Sequence, residues 1–529
     1  MRLRNCLLLF FIFGFYSFGC QSQQRAQPAA DIFTSIKIYH TNDIHAHLSP
    51  DSQGRGGLAY VASVLKVIRD QDSQALILDA GDFYKKGSLP SQNSKDEVTS
   101  DLMKRLPYFD ARAVGNNEVK VGIPRILEWA KTKENAPLLS ASFVDKNKKP
   151  VFSPWIILKR WGLKIGIIGL TVRVPIEDSV QAPSTDPRAP YSILDPEVAV
   201  VPYIQELRPQ VNILILLSHD HYKDNLRIAK DHPEIDLVIS GHSHKLTGDQ
   251  KTRTGNLVVE AGQFGQQVGV VTLYYDNSHK KVASLESTFW PIGQDFQLAD
   301  GEIATEVRKA YSKWAPDAFV RLGENLETLS IIDPSSPFEG TLDDWLADQM
   351  KILAQSDVAV VNREMLREPL FKGPVTKESV FLSAPYDDQV AVVNLPQGKL
   401  EKMLKDNITR TFPKVDFYPF AFAGITSKLN LEEHQFKRVS LSFEKPKKDV
   451  SVAFPHYVVT HCTEFFSNDQ CPMPEAKKLA FVRPLIESAV TRLKIVRAPP
   501  ANRVVVQDVE KAPPAIATDE DSDTSEGND

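Results

Sequence analysis

Six short aliphatic segments, each ending in polar residues or glycine, constrain the fold of this chain more than any other feature. They read IKIYH, ALILDAGD, ARAVGNNE, KIGIIGL, VNILILLSHDH and IDLVISGHSH, and they begin at residues 36, 75, 111, 164, 211 and 235. Such runs are typical of buried strands, and helical patterns such as VASVLKVIRD (61–70) and RILEWAKTK (125–133) lie between some of them. This alternation predicts an α/β domain whose functional groups collect at the strand ends.

The length of the chain predicts two domains, because 529 residues exceed what a single core usually holds. We assign residues 33–295 to the first domain, 296–325 to a linker helix, and 326–497 to a smaller α+β domain. In the second domain we expect a helix at TLDDWLADQMKILAQ and strands at DVAVVN, RVSLSFEK and HYVVTH. Residues 498–529 are rich in proline and then in acid, so we expect this tail to be disordered.

The N-terminus has the pattern of an export signal over residues 1–19, with two arginines before an apolar run, Leu7–Phe18, that is too short to span a bilayer. A polar leader follows at residues 20–32. The residues before Cys20 resemble the lipobox of bacterial lipoproteins, although Ser17 stands where an aliphatic residue is usual. We expect a lipid on Cys20 that anchors the protein to a membrane, and a plain signal peptide is the alternative.

The charge of the chain narrows the possible partners. With 67 acidic and 62 basic residues the net charge is −5, and no basic tract is long enough to follow a phosphate backbone. A nucleic acid polymer is therefore not expected as a partner, and nothing in the sequence predicts a protein partner.

The chain has few cysteines. If Cys6 is removed and Cys20 is acylated, Cys462 and Cys471 remain; we expect them to form a local disulfide, with free thiols or half of a metal site as alternatives.

Side chains of metal-ligand type stand at the ends of five of the predicted strands. Imidazole nitrogens and carboxylate oxygens hold borderline divalent cations, and one aspartate can bridge two of them. A single Asp-x-His or Gly-His-Ser-His loop is a weak indicator, since such residues also cap turns. Their succession along one domain predicts a site for two cations, made by Asp43, His45, Asp82, Asn116, His219, His242 and His244.

Several segments resemble the motifs of the calcineurin-like metallophosphoesterases. They are HTNDIHAHL (40–48), LDAGD (78–82), LLSAS (138–142), LKIGIIGL (163–170), LLSHDH (216–221) and GHSH (241–244). With its export signal and second domain, the chain is similar to the bacterial periplasmic 5'-nucleotidase family. This resemblance implies a four-layer α-β-β-α sandwich followed by a smaller α+β domain, a place in the periplasm or outer cell envelope, and hydrolysis of a nucleotide or another small phosphorylated metabolite.

The resemblance also implies two ligand sets joined by one carboxylate: Asp43, His45 and His244 for one ion, Asn116, His219 and His242 for the other, and Asp82 between them. Mn, Zn, Co and Fe all suit these ligands. A pair of such ions acidifies a bridging water and stabilises both ends of an in-line displacement. The amide oxygen of Asn116 would bind metal without adding negative charge; the alternative is an asparagine in a left-handed turn after Gly115.

The family's catalytic dyad is replaced in this chain. The family ordinarily has Gly-Asn-His-Glu followed two residues later by Asp, whereas this chain has Asn117 and Lys120 at the His and Asp positions. Asn117 can donate a hydrogen bond to a phosphoryl oxygen but cannot deliver a proton, and general acid catalysis is worth about 10²- to 10⁴-fold, so we expect slower turnover. His221 is the candidate replacement acid and His47 a second, with a solvent-facing loop histidine as the alternative. Lys120 either offers positive charge to a substrate phosphate or forms an exposed salt bridge.

The second domain bears on specificity. The family carries Asn-Gly-Gly leading to an arginine there, and in VVNREMLREP we align Asn362 and Arg367 as substrate-binding residues. Arg363 and Glu364 replace the glycines, and we expect them to alter a pocket in which glycine lets the backbone approach a ligand. The leading hypothesis is a two-metal phosphoester hydrolase with altered acid chemistry and specificity. The alternative is a catalytically impaired, metal-containing protein that binds a phosphorylated ligand.

Overall fold

The first domain contains fourteen strands and eight helices in the described residues. The structure, a computed structural model, describes residues 32–131, 136–173, 191–252, 255–331, 338–411, 420–432, 435–500 and 503–507. The strands are β1 (Phe33–Thr41), β2 (Leu76–Asp79), β3 (Ala111–Ala113), β4 (Leu138–Leu139), β5 (Phe143–Asp145), β6 (Trp155–Arg160), β7 (Leu163–Thr171), β8 (Tyr191–Ile193), β9 (Ile213–His219), β10 (Leu237–Ser240), β11 (Leu246–Lys251), β12 (Leu257–Ala261), β13 (Gln267–Asp276) and β14 (Lys281–Pro291). The helices are α1 (Leu58–Gln71), α2 (Leu89–Asn93), α3 (Glu97–Met103), α4 (Asn116–Val121), α5 (Ile123–Ala130), α6 (Pro196–Leu207), α7 (Tyr222–Asp231) and α8 (Gly301–Trp314).

Two six-stranded sheets form the centre of this domain, in the orders β14-β13-β1-β2-β3-β4 and β11-β12-β10-β9-β7-β6. Their inner faces pack against each other through aliphatic side chains such as Ile38 and Ile215. All residues of β9 are buried, as is typical of a central strand covered on both faces. Helix α1 covers the first sheet through Leu65, and α6 covers the second through Ile204. These layers confirm the α-β-β-α sandwich.

The predicted linker helix corresponds to α8, which belongs to the first domain by its contacts. Its buried residues Ile303, Val307 and Tyr311 join the same core cluster as Leu65 of α1. The Asp300 carboxylate accepts hydrogen bonds from the first amides of α8, which explains where the helix begins. The chain enters the second domain only after this helix.

The second domain is an α+β unit with a five-stranded sheet in the order β19-β16-β22-β18-β23. Helices α9 and α14 cover one face of this sheet, and α11 covers the other. The strands are β15 (Arg321–Asn325), β16 (Val358–Val361), β17 (Gly373–Thr376), β18 (Gln389–Pro396), β19 (Ala421–Ala423), β20 (Ile425–Glu432), β21 (Gln435–Phe443), β22 (Asp449–Pro455), β23 (Lys477–Phe481), β24 (Ile495–Val496) and β25 (Val504–Gln507). The helices are α9 (Thr341–Ala354), α10 (Lys377–Ser383), α11 (Gln397–Thr411), α12 (His456–Thr460), α13 (Cys462–Phe465) and α14 (Val482–Leu493).

Three expectations for the second domain are corrected. HYVVTH forms helix α12 rather than a strand, because β22 ends at Pro455 and the Asp388 carboxylate accepts from the Tyr457 amide at 3.3 Å where the helix begins. The domain starts before residue 326, since β15 pairs with β17 and β24. Disorder from residue 498 onward does not describe Val504–Gln507, which pairs in parallel with β20 because a run of valines can cover the apolar cluster around Leu429.

The two domains meet at an interface that contains buried polar contacts. Glu378 of α10 accepts a hydrogen bond from the Tyr311 hydroxyl at 2.6 Å and another from the Leu89 amide at 3.1 Å. His47 Nε2 lies 2.5 Å from Glu368 Oε1, and both side chains are buried. The domains are therefore joined by specific hydrogen bonds close to the segment that carries His45.

The described residues leave the export prediction untested. Residues 1–19 and Cys20 lie outside them, as does the acidic tail after Gln507. None of the described helices has the length and apolar composition that a membrane crossing requires. In the second domain, Cys462 and Cys471 form a disulfide with Cα atoms 5.8 Å apart.

Candidate metal centre

The strand ends of both sheets converge at one edge of the first domain. Strands β1, β2 and β3 are parallel neighbours in one sheet, and β9 and β10 are parallel neighbours in the other. The ligand-type side chains end these strands or follow them directly. Backbone φ angles between 49° and 75°, which non-glycine residues seldom adopt, occur at Asp43, His45, Asp82, His242 and His244. Such backbone costs about 1–3 kcal/mol per residue and clusters at functional sites.

Asp43, His45 and His244 form the first group of potential ligands. His45 Nε2 lies 3.1 Å from His244 Nε2 and 3.7 Å from Asp43 Oδ1. His244 Nε2 lies 3.4 Å from the same aspartate oxygen. Two imidazole nitrogens and one carboxylate oxygen thus face a common point, which is the donor set that a divalent cation of the zinc type accepts.

Asp82, His219 and His242 form the second group, and Asn116 completes it. His219 Nε2 lies 3.3 Å from Asp82 Oδ2 and 3.2 Å from Asn116 Oδ1. His242 Nδ1 lies 3.1 Å from the same Asn116 oxygen. Asp82 Oδ2 is also 3.9 Å from His45 Nε2 of the first group. One aspartate oxygen therefore faces both groups.

The charges in this centre favour a cation. Burial raises the pKa of Asp43, but His244, His219 and His45 lower it to about 2. Burial lowers the pKa of His219, but the carboxylates of Asp82 and Asp43 raise it to about 10. Burial also lowers the pKa of His45 to about 3, so that histidine is neutral and able to bind metal. The lowered pKa values of the Asp43 and Asp82 carboxyls leave negative charge among buried imidazoles, which a bound cation would balance.

The orientation and hydrogen bonding of these side chains also suit metal ions. Asp43 Oδ1 is buried and accepts no hydrogen bond from the described residues, an arrangement that costs about 1–3 kcal/mol unless a cation satisfies the oxygen. His219 Nδ1 lies 2.7 Å from the Ala80 carbonyl, which holds the tautomer that presents Nε2 to the centre. A Cβ at Gly115 would lie 2.1 Å from Asp82 Oδ1, so only glycine leaves that carboxylate in place. The residues present therefore fit a pair of divalent cations.

Glu118 supports the centre and was not predicted from the sequence. Its carboxylate accepts hydrogen bonds from the amides of Gly115, Asp82 and Phe83 at 2.8, 2.9 and 2.8 Å. It ties the loop after β2 to the loop after β3, and burial raises its pKa to about 7. The signal available in the sequence was a glutamate three residues after Gly115, which is the spacing of a capping box.

Asn117 lies beneath the centre and does not face solvent. Its side chain is 0% exposed, and Nδ2 donates to Asp82 Oδ2 at 2.5 Å while the backbone amide donates to Asp82 Oδ1 at 2.7 Å. The expected hydrogen bond from Asn117 to a phosphoryl oxygen would have to replace this contact. Lys120, at the family's Asp position, is half-buried on the last turn of α4.

The two candidate replacement acids occupy different environments. The His221 side chain is exposed, and its ring centroid lies 4.5 Å from that of His242 in an edge-to-face contact. His47 is 4% exposed, bonded to Glu368 and stacked on Phe264 with ring centroids 3.9 Å apart. Between these two histidines, only His221 is open to a substrate.

The second-domain residues are placed as follows. Asn362 accepts from the Glu364 amide at 3.1 Å and is buried, while Glu364 is exposed. Arg363 was expected to alter a ligand pocket, but its side chain lies inside the domain: it is 1% exposed, and the Asp343 carboxylate accepts a hydrogen bond from its Nε. Arg367 donates from Nε to the Tyr386 hydroxyl at 3.0 Å. Among these four second-domain residues, Arg367 is the one that places a charged group at the domain interface.

Lys86 of the first domain meets this arginine across the interface. Its Nζ lies 5.5 Å from the centroid of the Tyr386 ring, so two cations flank one phenol. Burial raises the pKa of Tyr386, but the charges of Arg367 and Lys86 lower it to about 8. Among the described residues, no carboxylate lies within 4 Å of either cation. Lys86 and Tyr386 were not predicted from the sequence, because the contact joins loops 300 positions apart.

Two stretches of the chain match known families. Residues 36–246 match the family described as calcineurin-like phosphoesterase, and residues 330–460 match the 5'-nucleotidase C-terminal domain. The first stretch contains all the ligand-type side chains of the centre, and the second contains Asn362 and Arg367.

Individual proteins resemble the chain over most of its length. An uncharacterized metallophosphoesterase of Bacillus subtilis, YunD, is 26% identical over 400 residues, which cover 74% of this chain and 81% of the relative. The 5'-nucleotidase of Vibrio parahaemolyticus is 24% identical over 469 residues, covering 78% of this chain and 81% of the relative. The crystal structure of a 5'-nucleotidase precursor from Thermus thermophilus aligns with 90% of this chain and 100% of its own, with a TM-score of 0.73 and 20% identity. At that identity the alignment shows the fold of both domains.

Proposed function

Since this chain belongs to the metal-dependent phosphoester hydrolases that join a calcineurin-like phosphoesterase domain to a 5'-nucleotidase C-terminal domain, we propose that it hydrolyses a small phosphorylated metabolite at a centre for two divalent ions. The observation that carries this proposal is the pair of ligand groups that share one oxygen of Asp82. We assign Asp43, His45 and His244 to one ion and Asn116, His219 and His242 to the other.

The residues around the centre have separable roles in this reaction. Two divalent ions, when bound by these residues, would supply the acidification of a water and the stabilisation of charge on the transferring phosphoryl group. Glu118 holds the Asp82 and Asn116 loops at a fixed separation, and the Ala80 carbonyl keeps Nε2 of His219 directed at the centre. We assign His221 the transfer of a proton to the leaving oxygen, because its imidazole is exposed beside His242.

The substrate's remaining charge is bound from the domain interface. Lys86 and Arg367 converge on Tyr386. Burial is the main cause that lowers the pKa of His45, and the charge of Lys86 lowers it by a smaller amount. Lys86 therefore lies between the metal centre and the second domain. A nucleotide or another phosphorylated metabolite with further anionic groups would satisfy both cations.

Phosphate release from the full chain, loaded with Mn²⁺ or Zn²⁺, tests the proposal across nucleoside mono-, di- and triphosphates and nucleotide sugars. We expect turnover that is absent in His219→Ala and reduced about 10²-fold or more in His221→Asn. Lys223→Gln changes an exposed lysine two residues further on and serves as the matched control. Turnover that is the same in His221→Asn as in the wild type would remove His221 from the mechanism.

A second candidate function is supported by the position of Asn117. A protein that binds a phosphorylated ligand without turnover needs no proton donor, and the family's His position here is filled by a buried amide bonded to Asp82. The double change Asn117→His with Lys120→Asp restores the family's dyad. A rise in phosphate release favours the hydrolase, whereas two bound ions without release in the wild type and in the double variant favour the binding protein.

We also propose that the chain is exported and anchored through a lipid on Cys20, because an apolar segment of signal type precedes that cysteine. Membrane fractionation of cells that express the wild type or Cys20→Ser tests this. Wild-type protein that stays in the soluble fraction would refute the anchor.

A further inference from the structure

A basic cavity of about 530 Å³ is lined by residues that follow Asp82 and Asn116 in the chain, and by none of the ligand-type residues of the metal centre. The loop that follows Asp82 forms one wall through Lys85, and the start of α5 forms another through Arg125. Its volume is in the range of sites for small molecules. The residues that line it are Lys85, Gln92, Lys95, Asp96, Val121, Gly122, Pro124 and Arg125.

The cavity carries more positive than negative charge. Lys85, Lys95 and Arg125 are cationic, and Asp96 is the one carboxylate among the lining residues. Within the described ranges, no carboxylate lies within 4 Å of the charged atoms of these three cations. Asp96 is already engaged, since its Oδ1 accepts from the Ser91 hydroxyl at 2.9 Å and from the Lys85 amide at 3.3 Å.

The loop that presents Lys85 has an unusual backbone. Lys85 and Lys86 both adopt left-handed φ angles, 63° and 66°. Gly87 follows, and a Cβ there would lie 2.0 Å from the His45 carbonyl, so the loop is packed tightly against the first ligand segment. This arrangement separates the two lysines: Lys86 meets Tyr386 in the second domain, and Lys85 lines the cavity.

Lys120 adds to the charge at this wall. It precedes Val121 and Gly122, which line the cavity, and it occupies the position where the family has an aspartate. Burial lowers the pKa of Lys85, the nearby Asp96 raises it, and the charges of Lys120 and Arg125 lower it further. An aspartate at position 120 would reduce the positive charge around Lys85, whereas the lysine increases it.

We propose that this cavity is a second anion site, which binds the phosphoryl group of a small phosphorylated molecule through Lys85, Lys95 and Arg125, independently of the metal centre. Ammonium and guanidinium groups donate charge-assisted hydrogen bonds to phosphate oxygens, and a cavity with several such groups and no ion-paired carboxylate is suited to that ligand. The replacement at position 120 strengthens this site as well as removing the catalytic dyad. The proposal goes beyond phosphoester hydrolysis, because it requires neither bound metal nor turnover.

Calorimetric titration of the full chain with pyrophosphate tests the site, after metal has been removed with a chelator and the chelator has been removed by gel filtration. We expect binding to persist without metal and to weaken about tenfold or more in Lys85→Gln and in Lys120→Asp, because each change removes positive charge at the wall. Lys104→Gln, which alters an exposed lysine paired with Asp101 in the same domain, is expected to bind like the wild type. Circular dichroism confirms that each variant is folded.

The outcomes separate this site from the metal centre. Metal-free binding that weakens in Lys85→Gln and Lys120→Asp but not in Lys104→Gln supports the second site, whether or not the loaded protein hydrolyses any substrate. Binding that requires metal overturns the proposal, because the anion then occupies the metal centre. Metal-free binding of equal strength in all variants also overturns it, because the cavity cations then do not hold the anion.

Discussion

The buried Glu378 carboxyl leads to a prediction about how stability depends on pH. Glu378 is 4% exposed and accepts hydrogen bonds from Tyr311 and Leu89 of the first domain. Burial raises its pKa from 4.5 to about 7, more than the hydrogen bonds lower it. The folded protein therefore keeps a proton on Glu378 at pH values where the unfolded chain has released it.

Linkage gives the sign and size of the effect. Where the folded state binds more protons, the free energy of unfolding falls as pH rises, by about 1.4 kcal/mol per pH unit. The stabilising contribution of Glu378 is thus complete below pH 4.5 and is lost by about pH 7, a fall of about 3 kcal/mol. Glu378→Gln cannot ionise, and it can accept from the Leu89 amide while donating to the Tyr311 hydroxyl. The variant should exceed the wild type by about 1 kcal/mol near pH 5 and by about 3 kcal/mol near pH 8.

Urea unfolding followed by tryptophan fluorescence at the two pH values measures this difference. Glu128→Gln changes an exposed glutamate on α5 and serves as the matched control. A stability difference between Glu378→Gln and the wild type that is the same at both pH values would refute the reasoning. It would mean that Glu378 carries no proton in the folded state at neutral pH.

Three further predictions concern the metals, the interface and the disulfide. His219→Ala should lower the Mn²⁺ bound in equilibrium dialysis from two ions per chain to one, and two retained ions would contradict the ligand assignment. The ultraviolet titration of the wild type minus that of Tyr386→Phe should show one phenol ionising near pH 8, and Arg367→Met should move it upward; an unchanged midpoint would contradict the role of the arginine. Replacing Cys462 and Cys471 by serine should lower the free energy of unfolding by about 3 kcal/mol in urea titrations, because a bridge between residues with a sequence separation of 9 closes a short loop in the unfolded chain. An unchanged stability would exclude a stabilising bridge.

The ends of the strands could be predicted from the sequence because they depend on local patterns. A buried parallel strand is a continuous aliphatic run, so the segments before Asp43, Asp82 and His219 were recognisable, and parallel strands bring their carboxyl ends to one edge. The left-handed backbone at Asp43 and Asp82 was not predictable in this way. Aspartate tolerates several conformations, and only packing around the centre selects the rare one.

Contacts between segments that are distant in the chain could not be predicted from the sequence either. His47 was a candidate acid by its place in the DIHAH loop, but it pairs with Glu368, 321 positions away, and stacks on Phe264. By residue type Asn117 can donate a hydrogen bond to a phosphoryl oxygen, whereas in the structure its amide group donates to Asp82. Both outcomes depend on which partner lies nearest in the folded chain, and a single sequence does not contain that distance.

The strand β25 has a practical consequence for where this chain can be cut. Val504–Gln507 pairs with β20 as the third strand of a small sheet, and the amide of Val504 donates to Glu339. The tail begins by composition at residue 498. A protein that ends at residue 497 would leave one edge of β20 without its partner and would expose the apolar side chains around Leu429. An exposed strand edge of that kind recruits other chains. Preparations that stop before β25 should therefore associate, while those that retain residues up to Gln507 should stay dispersed.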